Sequence, residues 1–431
     1  MKDTLKKLIV NGWEQDTQYI QRGIIPSELS LKKPSLVLIG PRRSGKSYTL
    51  HELKDTCLGA SGQTRAFIYL NFEDERLAGV FKREQFDFIL EAYYELRADK
   101  PLILLDEVQN IDGWGRFVRR LADSGYKVVV TGSNSDVLSR DIAEQLGGRF
   151  VEIKVYPLCF REFLEFKGMK PADEIIYSKE RFRVKRFFEE YLHYGGFPEV
   201  ALLSTPETKL KLLETYFNLV FYRDLTRKRM VENENAMRLI IKKLRESIGN
   251  MITPRAVYAT LKAADIGVGP NTVEKYITYL EEALVVFPCQ PFSKSSFKQE
   301  RRKRYFVDNG YLKLFEVKED RGMLLENLVF TELLKLGKKI YYHVGKHECD
   351  FISGNLAIQV TDTLSEGNTK RELEGLIEAV DAYGLAGGII ITRDQEKELM
   401  VGKGITRKKI TVVPAWKWCL ETANIGKAHL V

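Results

Sequence analysis

Five short runs rich in apolar residues mark the first part of the chain, and polar residues follow most of them. The runs cover residues 36–39, 66–70, 102–105, 127–131 and 151–155. Apolar runs of this length predict buried strands, and the stretches between them carry helical patterns. Repeated alternation of strand and helix predicts an α/β domain built on a doubly wound parallel sheet. In such a sheet we expect the ligand at the carboxyl ends of the strands.

The first apolar run leads into a glycine-bounded loop and then a helical stretch that begins at Tyr48. The loop is Gly40-Pro41-Arg42-Arg43-Ser44-Gly45-Lys46-Ser47. Glycine at both ends lets the backbone curl so that its N–H groups face a polyphosphate, and the N-terminus of the following helix favours the same anion. We expect Lys46 to reach the β- and γ-phosphates and the Ser47 hydroxyl to coordinate Mg²⁺. Residues 40–48 are therefore predicted to form a phosphate-binding loop.

Acidic residues follow the third apolar run, as a nucleotide site requires. Asp106 is expected to hold Mg²⁺ through water, and Glu107 to orient and deprotonate an attacking water. The fourth run ends in the polar residues 131–134, at the same predicted edge of the sheet. Because the chain has no Asn-Lys-x-Asp guanine signature, ATP is favoured over GTP.

These motifs, together with Leu146-Gly147-Gly148-Arg149-Phe150, resemble those of AAA-type ATPases. A closer resemblance is to uncharacterised prokaryotic ATPases whose C-terminal half is a domain of unknown function. The supporting segments are residues 156–158, 161–163 and 194–199. The resemblance implies that Ser133 or Asn134 contacts the γ-phosphate and that Arg149 is an arginine finger for a neighbouring subunit, in a homo-oligomer. A solvated or ion-paired side chain is the alternative for Arg149.

We expect four segments along the chain. An AAA-type core over residues 1–175 precedes a helical lid over 176–245, where aromatic and charged residues recur at helical spacing. A winged helix-turn-helix is predicted over 246–321. A smaller α/β nuclease-like domain is predicted over 322–431.

Helix signals define the third segment. Thr253-Pro254 opens one helix, and Pro270 opens a second helix after a glycine-bearing turn. A basic run before the apolar residues 305–307 is predicted to be the tip of a wing. The expected DNA-contacting residues are Asn271, Thr272, Lys275, Arg301, Arg302, Lys303 and Arg304. The alternative is a winged helix that serves only as an adaptor between domains or subunits.

The last segment resembles a PD-(D/E)xK nuclease core in outline. Glu326, Glu348 and Asp350 supply carboxylates, and Asp350 stands where the first metal ligand belongs. Gln359 and Thr361 replace the second acid and the lysine that the pattern requires. Because these substitutions remove a metal-binding charge and a cation, we expect this domain not to cleave nucleic acid.

Composition refines the functional prediction. The formal net charge of +8 favours acidic partners such as nucleic acid, and five scattered cysteines indicate a reducing compartment. We found neither a signal peptide nor an apolar run long enough to cross a membrane, so a cytoplasmic protein is expected. The sequence predicts a Mg²⁺-dependent ATPase that couples its nucleotide state to DNA binding or remodelling. The alternative is a slow nucleotide-gated switch that binds a protein partner.

Overall fold

The chain folds into two compact units in the computed structural model. The first unit contains residues 1–156 with 282–284, and the second contains residues 157–281 and 285–431. The structure describes residues 1–31, 34–62, 64–133, 146, 148, 150–171, 173–227, 229, 231–293, 301–316, 318–401 and 408–428.

A five-stranded sheet forms the centre of the first unit. Its strands are β1 (Ser35–Ile39), β2 (Phe67–Asn71), β3 (Leu102–Asp106), β4 (Val128–Gly132) and β5 (Phe150–Lys154). All neighbouring strands are parallel, in the order β2-β3-β4-β1-β5. Every residue of β1, β3 and β4 is buried, which explains why these strands are continuous apolar runs in the sequence. The predicted parallel α/β sheet is confirmed.

Helices surround this sheet in the first unit. They are α1 (Lys2–Glu14), α2 (Ser27–Leu31), α3 (Lys46–Ser61), α4 (Asp87–Tyr94) and α5 (Trp114–Asp123). Leu50 and Leu53 of α3 pack in one apolar cluster with Leu36 and Leu38 of β1. This packing fixes the start of α3 directly behind the end of β1, and the loop between them takes its position from both elements.

The second unit begins with a series of helices. They are α6 (Phe160–Phe166), α7 (Arg181–Tyr194), α8 (Pro198–Leu202), α9 (Pro206–Leu219), α10 (Glu234–Glu246), α11 (Pro254–Ala263), α12 (Pro270–Glu282), α13 (Asn309–Leu314), α14 (Arg321–Lys335), α15 (Glu366–Tyr383) and α16 (Ala415–Ala428). A π-helical segment, Val220–Arg227, continues α9. Within the described residues, no helix is both long enough and apolar enough to cross a membrane.

An eight-stranded mixed sheet completes the second unit. Its strands are β6 (Val286–Pro291), β7 (Lys303–Phe306), β8 (Ile340–Val344), β9 (Glu348–Ser353), β10 (Leu356–Val360), β11 (Gly387–Thr392), β12 (Lys397–Val401) and β13 (Lys408–Pro414). Their order is β12-β13-β11-β10-β9-β8-β6-β7. The antiparallel hairpin β6–β7 pairs with β8 through β6, so the strands expected to form an isolated wing extend this sheet.

Apart from residues 282–284, the segments expected as lid, winged helix and nuclease-like domain lie within one compact unit. Buried polar contacts join them. The Asn309 side chain donates to the Leu192 carbonyl at 2.8 Å, and the Arg245 guanidinium donates to the Leu312 carbonyl at 3.0 Å. The Tyr191 hydroxyl donates to Glu332 at 2.6 Å. These partners are far apart along the chain, so local patterns did not reveal that the segments pack together.

Candidate nucleotide site

The predicted phosphate loop lies between β1 and α3, at the carboxyl end of β1. A Cβ atom added to Gly40 would lie 1.9 Å from the Val155 carbonyl oxygen, so this position accepts only glycine. Gly45 has a φ of 98° and precedes the first residue of α3. Arg43 also lies in the left-handed region, with a φ of 65°. The loop therefore holds a tight curl that depends on its glycines.

Donors inside the loop are arranged for an anion. No side chain caps the N-terminus of α3, and the buried Ser44 hydroxyl has no hydrogen-bond partner within the part of the chain that the structure describes. Lys46 is buried and donates to the carbonyl oxygens of Gly40 and Pro41, each at 3.1 Å. The Arg22 guanidinium supports the loop from outside by donating to the Ser44 carbonyl at 2.8 Å and the Tyr156 carbonyl at 3.0 Å.

Asp106, at the end of β3, faces the hydroxyl of Ser47. The Ser47 Oγ donates to Asp106 Oδ2 at 2.7 Å, and the Tyr69 hydroxyl donates to the same oxygen at 3.1 Å. The Thr131 hydroxyl donates to Asp106 Oδ1. Burial raises the pKa of Asp106, and the neighbouring Glu107 raises it further, against the opposing effect of these hydroxyl donors. A buried carboxylate beside a loop serine fits the oxygen-rich environment that Mg²⁺ requires.

Glu107 adopts a left-handed backbone conformation, with a φ of 55°. Its backbone N–H donates to Thr131 Oγ1 at 2.9 Å, which helps to hold this uncommon geometry. Its carboxylate lies 3.6 Å from Lys46 Nζ and accepts hydrogen bonds from Gln109 and Ser133. Burial alone raises the pKa of Glu107, but Lys46, Arg42 and these two donors outweigh burial and hold the pKa below its ordinary value. Glu107 is therefore ionised at neutral pH.

The structure gathers most of the predicted nucleotide residues at one edge of the sheet. Arg42 is buried and paired with Glu73 at 2.9 Å, whereas Arg43 and Tyr48 are exposed. Two predicted residues, Asn134 and Arg149, lie outside the described residues.

The roles of three side chains around the phosphate loop and the acidic pair were not predicted from the sequence. They are Tyr69, Gln109 and Arg22. Tyr69 left one signal, since it is a polar-tipped residue inside an apolar strand. Gln109 follows the acidic pair closely, but its role depends on a contact with the distant Ser133, which the sequence does not show.

The predicted DNA-contacting residues lie in two places, on α12 and in the basic run at β7. On α12, Asn271 and Lys275 are exposed and Thr272 is half-buried, above the buried stripe Val273, Ile277 and Leu280.

The basic run differs from its predicted role as an exposed wing tip. Arg301 is exposed and Arg302 is half-buried, but Lys303 and Arg304 lie on β7 and are buried. Arg304 pairs with Glu281 at 2.8 Å, which commits its charge to the protein. Lys303 and Arg304 were expected to contact DNA phosphates, but the structure buries both side chains and places them in internal ion pairs.

Lys303 stands among the carboxylates of the nuclease-like segment. Its Nζ lies 3.8 Å from Glu326 and 3.9 Å from Asp350, and it pairs with Glu348. Burial lowers the pKa of Lys303, but the three carboxylates outweigh burial and raise it. Because Thr361 replaces the expected lysine, this cluster was predicted to lack a cation, but Lys303 supplies one. Gln359 donates to Glu372 at 2.8 Å. Within the described residues, no group of His, Cys, Asp or Glu is arranged to hold a metal ion.

Known proteins resemble the chain over most of its length. A family model described as an AAA domain matches residues 32–164, and one described as a domain of unknown function (DUF8612) matches residues 185–320. Uncharacterized protein MJ1544 of Methanocaldococcus jannaschii is 30% identical over 412 residues, covering 93% of this chain and 90% of that protein. An uncharacterized protein of Haemophilus influenzae is 30% identical over 359 residues, covering 80% and 86%. These names give no function for residues 185–431, so the winged-helix and nuclease-like interpretations stay predictions.

A solved structure also resembles the chain. It is the Signal Transduction ATPase with Numerous Domains (STAND) protein with a tetratricopeptide repeat sensor, PH0952, from Pyrococcus horikoshii. The sequences are 13% identical, with a TM-score of 0.28, and the match covers 75% of this chain but only 47% of that chain. At this TM-score the likeness supports no conclusion about fold, ligand or assembly.

Proposed function

Because the chain belongs to the family of AAA-domain proteins that includes Uncharacterized protein MJ1544, we propose that it binds ATP with Mg²⁺ and hydrolyses it. One contact carries the proposal. The Ser47 hydroxyl, at the end of the phosphate loop, lies 2.7 Å from Asp106 at the end of β3. A serine and a carboxylate in this relation are the two protein groups that hold Mg²⁺ in phosphate-loop enzymes.

The residues present fit ATP and Mg²⁺. The partnerless Ser44 hydroxyl and the uncapped start of α3 offer donors to phosphate oxygens. Ser47 and Asp106 would hold Mg²⁺, which supplies positive charge to neutralise the phosphate oxygens. Among the described residues, the Lys46 ammonium contacts two loop carbonyl oxygens and the Glu107 carboxylate, and a triphosphate would compete with those acceptors for its charge.

Glu107 is proposed to orient and deprotonate the water that attacks the γ-phosphate. It is buried and ionised, and it stands beside Lys46. When Lys46 turns to phosphate, Glu107 loses a counter-charge and becomes a stronger acceptor for a water proton. Phosphoryl transfer through a loose transition state depends mainly on such positioning and charge.

Two substitutions test this proposal. Glu107→Gln is expected to lower the turnover of MgATP by about 10²–10⁴-fold while a fluorescent ATP analogue still binds. Lys46→Ala is expected to weaken binding itself. The exposed residues Glu14 and Lys7 provide the controls Glu14→Gln and Lys7→Ala, which should leave both measurements unchanged. An unchanged turnover in the Glu107→Gln protein would contradict the assignment.

A second proposed function, DNA binding controlled by nucleotide state, is favoured by the exposed residues of α12. Asn271 and Lys275 lie on its exposed side, and Arg301 adds an exposed cation near β7. Each neutralised phosphate contributes about −0.9 to the slope of log affinity against log salt, so two cations predict a slope near −2. Replacing Lys275 and Arg301 with alanine should flatten the slope. If the wild type does not bind DNA at low salt, the adaptor function is the better proposal.

The turnover rate separates the remaining alternatives. Stimulation of ATP hydrolysis by DNA supports coupling of nucleotide state to DNA. A slow rate that DNA does not change supports the switch that binds a protein partner.

A further inference from the structure

Gln109 lies in the short 3-10 turn Val108–Asn110, just after the acidic pair. Its amide Nε2 is 2.5 Å from Glu107 Oε2 and 3.1 Å from Ser133 Oγ. The Ser133 Oγ is itself 3.1 Å from the same carboxylate oxygen. The three side chains therefore form a closed triangle of hydrogen bonds at the ends of β3 and β4.

The chemistry of this triangle fixes the orientation of the Gln109 amide. The Glu107 carboxylate only accepts, so the Ser133 hydroxyl gives it its single proton and leaves an oxygen lone pair for Gln109. The amide nitrogen of Gln109 then donates to both partners. A reversed amide would place its oxygen against the carboxylate, without a proton between them. The orientation with Nε2 facing Glu107 is therefore the one that satisfies every group in the triangle.

This orientation leaves the Gln109 Oε1 atom facing away from the triangle. That atom is buried, and among the described residues it has no hydrogen-bond partner. Buried amide oxygens in native proteins nearly always accept a hydrogen bond from protein or from an ordered water. The amide nitrogen of the neighbouring Asn110 donates to the Glu107 carbonyl oxygen at 3.1 Å.

We propose that Gln109 is a positioning residue for ATP hydrolysis: its amide nitrogen holds the Glu107 carboxylate, and its amide oxygen accepts a hydrogen bond from the attacking water. This role rests on the proposed ATPase function. A water held between these two groups would donate one proton to the Glu107 carboxylate and the other to the Gln109 amide oxygen. One lone pair of the water oxygen would then face the γ-phosphorus.

The water oxygen bonds to the γ-phosphorus while the bond from that phosphorus to the β–γ bridging oxygen breaks. The bridging oxygen leaves with ADP and keeps the electron pair. Glu107 accepts a water proton and passes it to inorganic phosphate, so the carboxylate is restored. Gln109 exchanges no proton, which is why a neutral amide suffices.

The test measures phosphate release by the full-length chain over a range of ATP concentrations, together with the binding of a fluorescent ATP analogue. Gln109→Ala is expected to lower kcat by about 10–100-fold, within the range by which positioning groups act, with KM within about twofold. Gln109→Glu keeps an oxygen and the side-chain length but removes the donor, so it should lower kcat similarly. Gln85→Ala is the matched control, since Gln85 only accepts from its own turn at Lys82.

The split between kcat and KM distinguishes positioning from a purely structural role. Replacing Gln109 should lower kcat at saturating ATP while KM and the binding of the fluorescent ATP analogue stay close to those of the wild type. A structural role alone would reduce the folded fraction, so kcat and the capacity to bind the analogue would fall together.

The outcomes separate the two proposals. A normal kcat in both Gln109 variants, in a protein whose turnover requires Glu107, would overturn the role of Gln109 alone. Loss of nucleotide binding in Gln109→Glu would also overturn it. A wild-type chain that binds but does not hydrolyse ATP would overturn the proposed function and, with it, the role of Gln109. If Gln109→Ala fails to fold, Gln109→Glu, with its conserved size, decides the matter.

Discussion

Single residues decide whether the phosphate loop forms. The position of Gly40 against the Val155 carbonyl leaves no space for a side chain, whereas Gly59 in α3 has no atom within 4 Å of an added Cβ. The two glycines therefore serve opposite purposes. Gly40 permits a close approach of two backbones, and Gly59 only adds conformational freedom to an unfolded chain.

We expect opposite results from alanine at these two positions. Gly40→Ala should lower the free energy of unfolding by about 1–3 kcal/mol or more and weaken ATP binding, because the loop must move away from Val155. Gly59→Ala should raise the free energy of unfolding by about 0.5–1 kcal/mol. Urea unfolding of both variants checks this, and a neutral effect of Gly40→Ala would contradict the geometry.

Asp308 is a buried acid whose charge state should affect stability. Its carboxylate accepts from the Gly196 N–H at 2.7 Å and the Gly310 N–H at 2.8 Å. Burial raises its pKa to about 6 from an ordinary value of 3.8, against the lowering effects of Lys335 and these N–H donors. A Cβ on Gly195 would lie 1.6 Å from Asp308 Oδ1, so the absence of a side chain at Gly195 leaves the space that the Asp308 carboxyl group occupies.

Because the folded-state pKa is higher than the unfolded one, the contribution of Asp308 to stability is fully present below about pH 4. It is lost as the pH rises through about 6, and the loss amounts to at most about 3 kcal/mol. Asp308→Asn removes this dependence. On acidification from pH 7 to pH 4.5, the unfolding free energy of the wild type should therefore rise relative to that of Asp308→Asn. Asp3→Asn, at an exposed position, is the control. A pH-independent difference would contradict the assignment.

Helices and strands were easier to predict from the sequence than the elements against which they pack. The phosphate loop and the strands could be predicted because β1, β3 and β4 are buried throughout, and such strands are apolar runs. The helix that begins at Pro270 was also predicted correctly, since the signals that open it are local. Strands β12 and β13 were not predicted, and residues of β12 are largely exposed or half-buried, which weakens an apolar signal.

Lys303 shows why the basic run of β7 could not be assigned from sequence. A run of positive charges looks the same whether it faces solvent or distant carboxylates. The structure buries Lys303 completely beside Glu326, Glu348 and Asp350. Only the pairing of β7 with the larger sheet brings these side chains together.

Removing the positive charge of Lys303 should lower the free energy of unfolding. Lys303→Met leaves three carboxylates without their shared cation, and we expect a loss of about 3–5 kcal/mol in unfolding free energy. Lys409→Met, on β13 of the same sheet, breaks an exposed pair with Glu398 and should change it by less than about 1 kcal/mol. Equal effects of the two substitutions in urea unfolding would show that the buried cluster is not stabilised by Lys303.

At the scale of the whole molecule, the oligomeric state remains a proposal that rests on Arg149. This arginine was predicted to complete the site of a neighbouring subunit, and it lies outside the described residues. Finger arginines in other phosphate-loop enzymes contribute about 10³–10⁵-fold to the rate, so their loss is easily measured.

A mixing experiment tests that arrangement. Arg149→Ala subunits keep an intact nucleotide site, whereas Lys46→Ala subunits keep the arginine. Each protein alone should be nearly inactive, and a mixture should regain ATP hydrolysis at shared interfaces. Light scattering provides the control that both variants assemble. If the mixture stays inactive although mixed oligomers form, Arg149 does not act across a subunit boundary.

The pairing of β6 with both β7 and β8 has a mechanical consequence for the second unit. Arg304 of β7 holds Glu281 of α12 at 2.8 Å and donates to the Ile252 carbonyl at 3.2 Å, just before α11. Arg304 thus links α12 and the start of α11 to β7, which is part of the eight-stranded sheet. A hinge between them would have to break a buried ion pair and strand hydrogen bonds. A force applied to α12 would therefore be transmitted through Arg304 and β7 to the eight-stranded sheet.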